Sequence, residues 1–207
     1  VIIEEAPPRT DAAQPAVPAG PQVLRLSAHT EPALQRAITA LADHLADPVT
    51  GTPISQRQRL IEIVDQIVLA EHFGLDIFGV GEHHRRDFAI SAPEVMLAAI
   101  AGRTSRLWLG SAVTVLSTDD PVRVFQRFST LNAISKGRAE VILGRGSFTE
   151  SFPLFGYDLD DYDALFGEKL DLLLKLRDGE RVTWQGALRP PLADAGISMS
   201  KLESRPA

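Results

Sequence analysis

A glutamate and two histidines stand together directly after an apolar stretch, as Glu82, His83 and His84 within Gly81–Asp87. A histidine beside a carboxylate suits proton transfer near neutral pH, because the carboxylate sets its tautomer and stabilises its charged form. Neighbouring strand residues point to opposite faces, so we expect Glu82 and His84 on one side and His83 on the other. A solvated surface loop is the alternative. A two-histidine metal site is disfavoured, because ligands on one strand face need a spacing of two.

A glycine-flanked arginine, Gly144-Arg145-Gly146-Ser147, follows a second apolar run, Ala139–Leu143. Glycine lets the backbone approach a ligand closely, and Arg145 adds a cation with forked donors. Such a turn can hold a phosphate or stabilise negative charge on a reduced ring. An ordinary turn with a solvated arginine fits the spacing equally well. The dinucleotide pattern G-x-G-x-x-G is not completed, because position 149 is Thr.

A third segment, Ser111–Thr114, brings small residues into an apolar run. Small side chains allow a flat ring to lie against the backbone, although they also serve plain packing inside a buried strand. The chain contains no Walker loop, G-x-S-x-G elbow, H-E-x-x-H pair or calcium loop. Kinase and hydrolase functions are therefore unsupported.

The elements that must position these residues alternate regularly along the chain. The predicted strands are Asp76–Gly81, Leu107–Leu116, Ala139–Leu143 and Val182–Trp184. The first predicted helix begins at the cap residue Ser55 and ends at Gly74. Three more helices are predicted, from Pro93 to about Thr104, from Pro121 to Ser135 and from Tyr162 to Leu176. Strands separated by helices predict an α/β fold with a parallel sheet, and continuous apolar strands predict helices on both faces. A doubly wound sheet and a barrel both satisfy this pattern, and in either one ligands bind at the carboxyl ends of the strands.

The two ends of the chain differ from this middle part. Residues 1–21 hold five prolines and little apolar bulk, which predicts an extended Pro/Ala-rich segment. Val23–Ala28 alternates like a strand, and Thr30 is placed to cap a following helix. Residues 188–207 show no core-forming period and are expected to be loose. We therefore divide the chain into 1–46, 47–187 and 188–207.

The composition narrows the class of function further. The 207 residues include no cysteine, which excludes disulfides, thiolate metal sites and cysteine nucleophiles and fits a reducing compartment such as the cytoplasm. The net charge of −6 disfavours nucleic acid as a partner. No apolar run is long enough for a membrane span. Small molecules are therefore the expected partners.

Three segments, in this order and spacing, resemble the luciferase-like flavin-dependent oxidoreductases: Phe73–His84, Gly110–Val124 and Ser135–Phe148. The resemblance runs from about Asp47 to Ala187 and includes Glu150–Tyr162, which looks like one bacterial subgroup. It implies a TIM-type (β/α) barrel that binds FMN, or a deazaflavin relative, at the carboxyl ends of its strands. It further implies hydride or oxygen transfer to a small organic substrate, with reduced flavin often supplied by a separate reductase.

The resemblance also implies roles for individual residues. Glu82 and His83 match the active-site pair of the family, with His83 as the proton-transfer residue. Ala112-Val113 matches the stretch that lies against the flavin ring, commonly through a non-prolyl cis peptide. The turn that contacts the flavin is matched by Arg145, Gly146 and Ser147.

The resemblance covers about the N-terminal half of the family domain, so the expected fold is an incomplete, roughly half barrel. A half barrel exposes strand edges, which favours a homodimer. Residues 1–46 resemble the end of a polyketide-synthase ketosynthase domain and its following linker. The leading hypothesis is a luciferase-like flavin oxidoreductase. The alternative is a non-catalytic fragment or linker module of a polyketide assembly-line protein.

Overall fold

The structure, a computed structural model, describes residues 55–197 and Gln35. The expected extended segment at 1–21, the strand Val23–Ala28 and Thr30, the expected cap, lie outside the described residues, as do residues 198–207. Within the described range, no helix combines the length and the apolar character needed to cross a bilayer.

Strands and helices alternate as the sequence predicts. In chain order they are α1 Gln56–His72, β1 Ile77–Val80, α2 Pro93–Ala101, β2 Trp108–Val115, α3 Pro121–Ile134, β3 Ala139–Gly144, α4 Ser151–Phe155, α5 Tyr162–Asp178, β4 Arg181–Trp184 and β5 Leu192–Gly196. Two 3₁₀ turns, Leu116–Thr118 and Leu159–Asp161, follow β2 and precede α5. The strands β1, β2 and β3 form one parallel sheet in that order. The predicted parallel α/β fold is confirmed, and it takes the form of an incomplete barrel.

Side-chain caps begin the helices where the sequence places them. The Ser55 hydroxyl accepts the Gln58 amide at 3.1 Å at the start of α1. The Asp120 carboxylate accepts the amide of Val122 at 2.9 Å, with Pro121 in the first turn of α3. At the other end of α1, Gly74 takes a φ of 92°, which reverses the chain toward β1. These caps fix where α1 and α3 begin and where α1 ends, and thereby where the chain leaves or enters the neighbouring strands.

One face of the sheet packs on helices and the other is open in the described residues. The covered face forms the main core with α2 and α3, centred on Leu97, Ile100, Leu107, Leu109, Leu116, Val124 and Leu131. On the open face, Ile77 is 56% exposed and Ile142 is 45% exposed. The expectation of helices on both faces is therefore not met here. The physical reason is that a barrel covers its inner face with side chains from its other strands, which also demands apolar residues on that face.

A second, smaller core lies beneath an antiparallel hairpin of β4 and β5. Val182 and Trp184 pack on Leu172 and Leu176 of α5, with Leu192 of β5 at the margin. The expectation of a loose segment from residue 188 was wrong for β5. Its short sequence carries too little apolar alternation to show a strand, and its partner β4 supplies the hydrogen bonds that order it.

The amino-terminal end of the sheet is tied together by a buried charged side chain. The Arg138 guanidinium donates to the carbonyl oxygens of Ala101, Thr104, Leu107 and Ser135 at 2.8–3.2 Å. It thereby joins the end of α2 to the loops before β2 and β3. Because each of these carbonyls lies where a helix or loop ends, the arginine replaces the backbone donors that they lack.

Candidate functional site

A cavity of about 90 Å³ lies at the carboxyl edge of the parallel sheet. The loop after β1, the end of β2 and the turn after β3 meet there, as the topology of a parallel sheet requires. Its lining comprises Gly81, Glu82, His83, His84, Ala112, Val113, Val115, Gly146, Ser147, Phe148, Glu150 and Ser151. Six of the seven residues that the sequence singles out therefore share one cavity. The seventh, Arg145, is not among the lining residues.

Glu82 and His84 form a nearly buried pair. The Glu82 Oε1 atom lies 2.8 Å from Nε2 of His84, and Glu82 Oε2 accepts the Val115 amide at 3.0 Å. Both oxygens of the carboxylate are thus engaged, one by a ring nitrogen and one by the backbone of β2. The two side chains lie on one side of the segment, as the alternation of strand residues predicts. The pair fastens the loop after β1 to the end of β2.

The His83 ring is held by aromatic packing, while the backbone amide of His83 donates to the Ile90 carbonyl oxygen at 3.1 Å. Its ring stacks on Phe88 with centroids 4.0 Å apart and meets Phe148 edge-on at 4.7 Å. Its Nδ1 atom is buried, has no hydrogen-bond partner in the described residues and lies 3.8 Å from the Glu150 carboxylate. That distance is too long for a hydrogen bond. His83 therefore places a fixed ring at the cavity, and its buried Nδ1 atom has no hydrogen-bond partner in the described residues.

The floor of the cavity is the end of β2. The peptide bond between Ala112 and Val113 is cis, as the family resemblance implies. Ala112 is exposed although it lies in the central strand of the described sheet. A Cβ atom added to Gly81 would lie 3.4 Å from the Ala112 carbonyl oxygen. Small residues thus leave the end of β2 accessible at this edge.

The turn after β3 forms the opposite wall. Gly146 takes a φ of 88°, and a Cβ atom there would come within 2.9 Å of Val115 Cγ1, so glycine is required. The neighbouring Arg145 turns away from the cavity, with Nη1 2.8 Å from the Asp163 carboxylate. Its side chain is 40% exposed, so the ion pair is solvated and contributes little to stability. The arginine is a cation beside the cavity rather than part of its wall.

A buried lysine lies behind the end of β2. Lys169 is 1% exposed, donates to the Ser117 carbonyl oxygen at 2.7 Å and lies 3.8 Å from the centroid of the Tyr157 ring. Burial lowers the pKa of Lys169 to about 8, and the negative charges of Asp119 and Asp120 oppose this shift only in part. Burial, together with the same two carboxylates, raises the pKa of Tyr157. The lysine anchors the 3₁₀ turn after β2 to helix α5.

Sequence reasoning missed several residues that shape this site. Glu150 accepts the His84 amide at 3.4 Å and faces His83, and Tyr162 donates to the turn after β3. Phe88 lies in a polar segment, and no pattern in the sequence singles it out, although its ring supports the His83 ring. These contacts join residues far apart in the chain. The position of Tyr162 at the start of the predicted helix Tyr162–Leu176 was the one available signal.

A family model described as luciferase-like monooxygenase matches residues 35–203, which is well over half of the chain. Among curated proteins, the limonene 1,2-monooxygenase of Rhodococcus erythropolis is 34% identical over 141 residues. That match covers 68% of this chain and 35% of the relative.

Solved structures share the fold. Monooxygenase RslO1 from Streptomyces bottropensis matches with a TM-score of 0.65 and 25% identity, covering 73% of this chain and 47% of that one. The oxygenating constituent of 3,6-diketocamphane monooxygenase from Pseudomonas putida, solved in complex with FMN, matches with a TM-score of 0.64 and 20% identity. That second match covers 76% of this chain and 46% of the solved chain.

The chain spans about a third of the length of the curated relative and just under half of the two solved chains. The shared part contains the parallel β/α units and the cavity at their carboxyl edge. The match of the family model over residues 35–203, together with this fold, shows that the chain belongs to the luciferase-like monooxygenase family.

Proposed function

We propose that this chain forms the flavin-contacting part of a flavin-dependent monooxygenase. Its cofactor is reduced FMN, with a deazaflavin as the alternative, and its substrate is a small organic molecule. The family match and the FMN present in a structure of the same fold support the choice of FMN. When bound, the flavin supplies the hydride or oxygen chemistry.

The observation that carries this proposal is one cavity that combines a small-residue floor with the fixed ring of His83. Ala112 and Val113 line its floor, and the buried Nδ1 atom of His83 has no hydrogen-bond partner in the described residues. Orphaned buried polar atoms are rare in folded proteins, and a functional site is one common reason for them. We therefore assign proton transfer to His83.

In this proposal, the remaining site residues either contact the cofactor or keep the loops around it in place. Glu82 binds the His84 ring and the Val115 amide, which keeps the loop after β1 against the cavity floor. Gly146 and Ser147 present backbone to the ring at the opposite wall, and Arg145 contributes positive charge beside it. The cavity of about 90 Å³ is far smaller than the roughly 300–1,000 Å³ of enclosed cofactor pockets. The described residues thus provide one part of the complete site.

The partners follow from the same proposal. A separate flavin reductase supplies the reduced cofactor, and two copies of the chain associate through their exposed barrel faces. The absence of cysteine supports a reducing compartment, and we propose the cytoplasm. A non-catalytic fragment or linker module is the competing function, and the small volume of the cavity favours it.

An FMN titration of the purified chain, followed by quenching of flavin fluorescence, tests the proposal. Saturable binding is expected for the wild-type chain. Ala112→Phe should abolish it, because the added ring fills the cavity floor. Ala133→Phe is the matched control, since Ala133 is an exposed alanine of α3 away from the cavity and its variant should bind FMN like the wild type.

Two outcomes would contradict the proposal. Absence of wild-type binding up to high micromolar FMN would favour the non-catalytic fragment. Equal binding by Ala112→Phe would place any flavin elsewhere on the molecule. A parallel titration with a deazaflavin distinguishes the two cofactor classes.

A further inference from the structure

The first turn of helix α5 is bonded to the turn that follows β3. The Tyr162 hydroxyl donates to the Gly146 carbonyl oxygen at 2.8 Å, and Asp163 pairs with Arg145 at 2.8 Å. The Tyr162 ring stacks on the fully buried Phe152, with centroids 5.4 Å apart and an interplanar angle of 22°. Because the ring is held by a core residue, its hydroxyl has a defined direction toward the turn.

The turn that Tyr162 contacts is directly connected to the rest of the site. Gly146 packs so closely on Val115 that a Cβ atom would come within 2.9 Å of the Val115 side chain. The Val115 amide donates to Glu82, which in turn binds His84. A shift of Gly146 therefore changes the wall of the cavity and presses on the strand residue that holds Glu82.

We propose that Tyr162 is a positioning residue for the cofactor edge of the cavity. Its hydrogen bond holds residues 144–147 in the conformation that presents Gly146 and Ser147 to the flavin. Tyr162 itself is not among the residues that line the cavity, so it acts through Gly146 rather than by touching the cofactor. The inference rests on the proposed function, because it concerns the same cavity.

The substitution Tyr162→Phe removes the hydroxyl and keeps the ring that stacks on Phe152. Losing one neutral hydrogen bond to the turn should weaken FMN binding by about 3- to 10-fold. Amide hydrogen exchange at residues 144–148 should become faster by a similar factor. The second measurement needs no flavin and reports on the turn alone.

The chain offers a matched control, because it contains two tyrosines in all. Tyr157 lies with its ring over the Lys169 ammonium, away from the turn after β3. Tyr157→Phe should leave both FMN affinity and exchange at residues 144–148 at their wild-type values. A purely structural role of Tyr162 would lower the free energy of unfolding without changing affinity under native conditions.

The outcomes separate this inference from the proposed function. Weaker FMN binding in Tyr162→Phe, with Tyr157→Phe unchanged, supports the positioning role. Unchanged affinity and unchanged exchange in Tyr162→Phe overturn it. If the wild-type chain binds no FMN, the proposed function fails. The exchange data then decide alone: faster exchange at residues 144–148 supports the hold of Tyr162 on the turn, and unchanged exchange refutes it.

Discussion

Among the polar residues that line the cavity, His83 and Ser151 each have a buried atom without a hydrogen-bond partner in the described residues, whereas the Glu82 carboxylate is fully engaged. Both oxygens of Glu82 are occupied, by His84 and by the Val115 amide. The His83 ring is fixed by Phe88 and Phe148, yet its Nδ1 has no hydrogen-bond partner in the described residues. These contacts support the proposed holding role of Glu82 and the proposed proton transfer by His83.

Replacing His83 tests this division at the level of one side chain. His83→Ala should abolish turnover of a substrate by the flavin-loaded enzyme, while FMN affinity stays within about 3-fold of the wild type because the floor residues remain. General acid–base groups contribute about 10²–10⁴-fold to rate. Steady-state kinetics and fluorescence titration measure the two properties separately.

The control for this variant is His72→Ala, at the exposed end of α1. It should leave turnover unchanged. Wild-type turnover in His83→Ala would reject the proton-transfer assignment. Loss of FMN binding in that variant would instead show that the ring mainly holds the cofactor.

The lowered pKa of the buried Lys169 predicts that the free energy of unfolding depends on pH in the alkaline range. Its folded-state pKa of about 8 lies below the ordinary value of 10.5, so between these values the unfolded chain binds more protons. The contribution of Lys169 to the free energy of unfolding should therefore rise as pH increases from about 8 to 10. The rise is at most about 1.4 kcal/mol per pH unit. Urea unfolding of wild type and Lys169→Met across this range measures the difference.

Lys175→Met provides the comparison, because Lys175 is an exposed lysine on the same helix. Lys175→Met measures what the loss of an exposed ammonium does over the same pH range. A flat difference between wild type and Lys169→Met would mean that the Lys169 ammonium is not penalised by burial. The charged neighbours of Lys169, which are Asp119, Asp120, Glu168 and Arg189, are retained in both variants.

At the scale of elements, Arg138 joins the end of α2 to the loops that begin β2 and β3. Its guanidinium satisfies carbonyl groups that no backbone donor reaches, so removal leaves several buried acceptors unpaired. Arg138→Met should lower the free energy of unfolding by about 3 kcal/mol. Chemical denaturation followed by tryptophan fluorescence gives the value.

A substitution at an exposed arginine is the control that separates the loss of the buried hydrogen bonds from the loss of a positive charge. Arg59→Met, on the solvent side of α1, should change stability by about 0.5 kcal/mol or less. Equal losses in the two variants would contradict the role given to Arg138. The Arg138 contacts lie at the amino-terminal end of the sheet, so FMN affinity should not change in either variant.

At the scale of the whole molecule, the described sheet leaves one face and two edges open. Ile77 and Ile142 lie on the open face, and in the described part of the chain β1 and β3 each have a strand neighbour on one side only. Exposed apolar faces and unpaired edges promote association. We expect the chain to be a dimer at micromolar concentration.

A charge placed on the open face tests this expectation. Ile142→Lys should shift the mass measured by light scattering from dimer to monomer, because burying an unpaired ammonium is costly. Ile134→Lys, at an exposed isoleucine that ends α3, should remain a dimer. A monomeric wild-type chain, or a dimeric Ile142→Lys, would argue against association through this face.

Local sequence signals were sufficient for most elements of this protein. Ser55 indicates the start of its helix because capping is a contact within three residues. The apolar runs at 77–80, 108–115 and 139–144 indicate a parallel sheet. Strands of a parallel sheet are buried on both faces and therefore need apolar residues on both. The same topology places Glu82, His83 and Gly146 at one edge, so the location of the site followed from the order of elements.

Contacts between distant parts of the chain were decided by the tertiary structure alone. The bond of Tyr162 to Gly146, the turn of Arg145 toward Asp163 and the burial of Lys169 depend on how α5 packs on the sheet. Strand β5 depends likewise on its partner β4. Local patterns in the sequence were enough to predict the type and order of the elements from α1 to β4, apart from the short helix α4, and to indicate the family. Tertiary packing decided which side chains face the cavity, because burial and hydrogen-bond partners are set by neighbours many residues away.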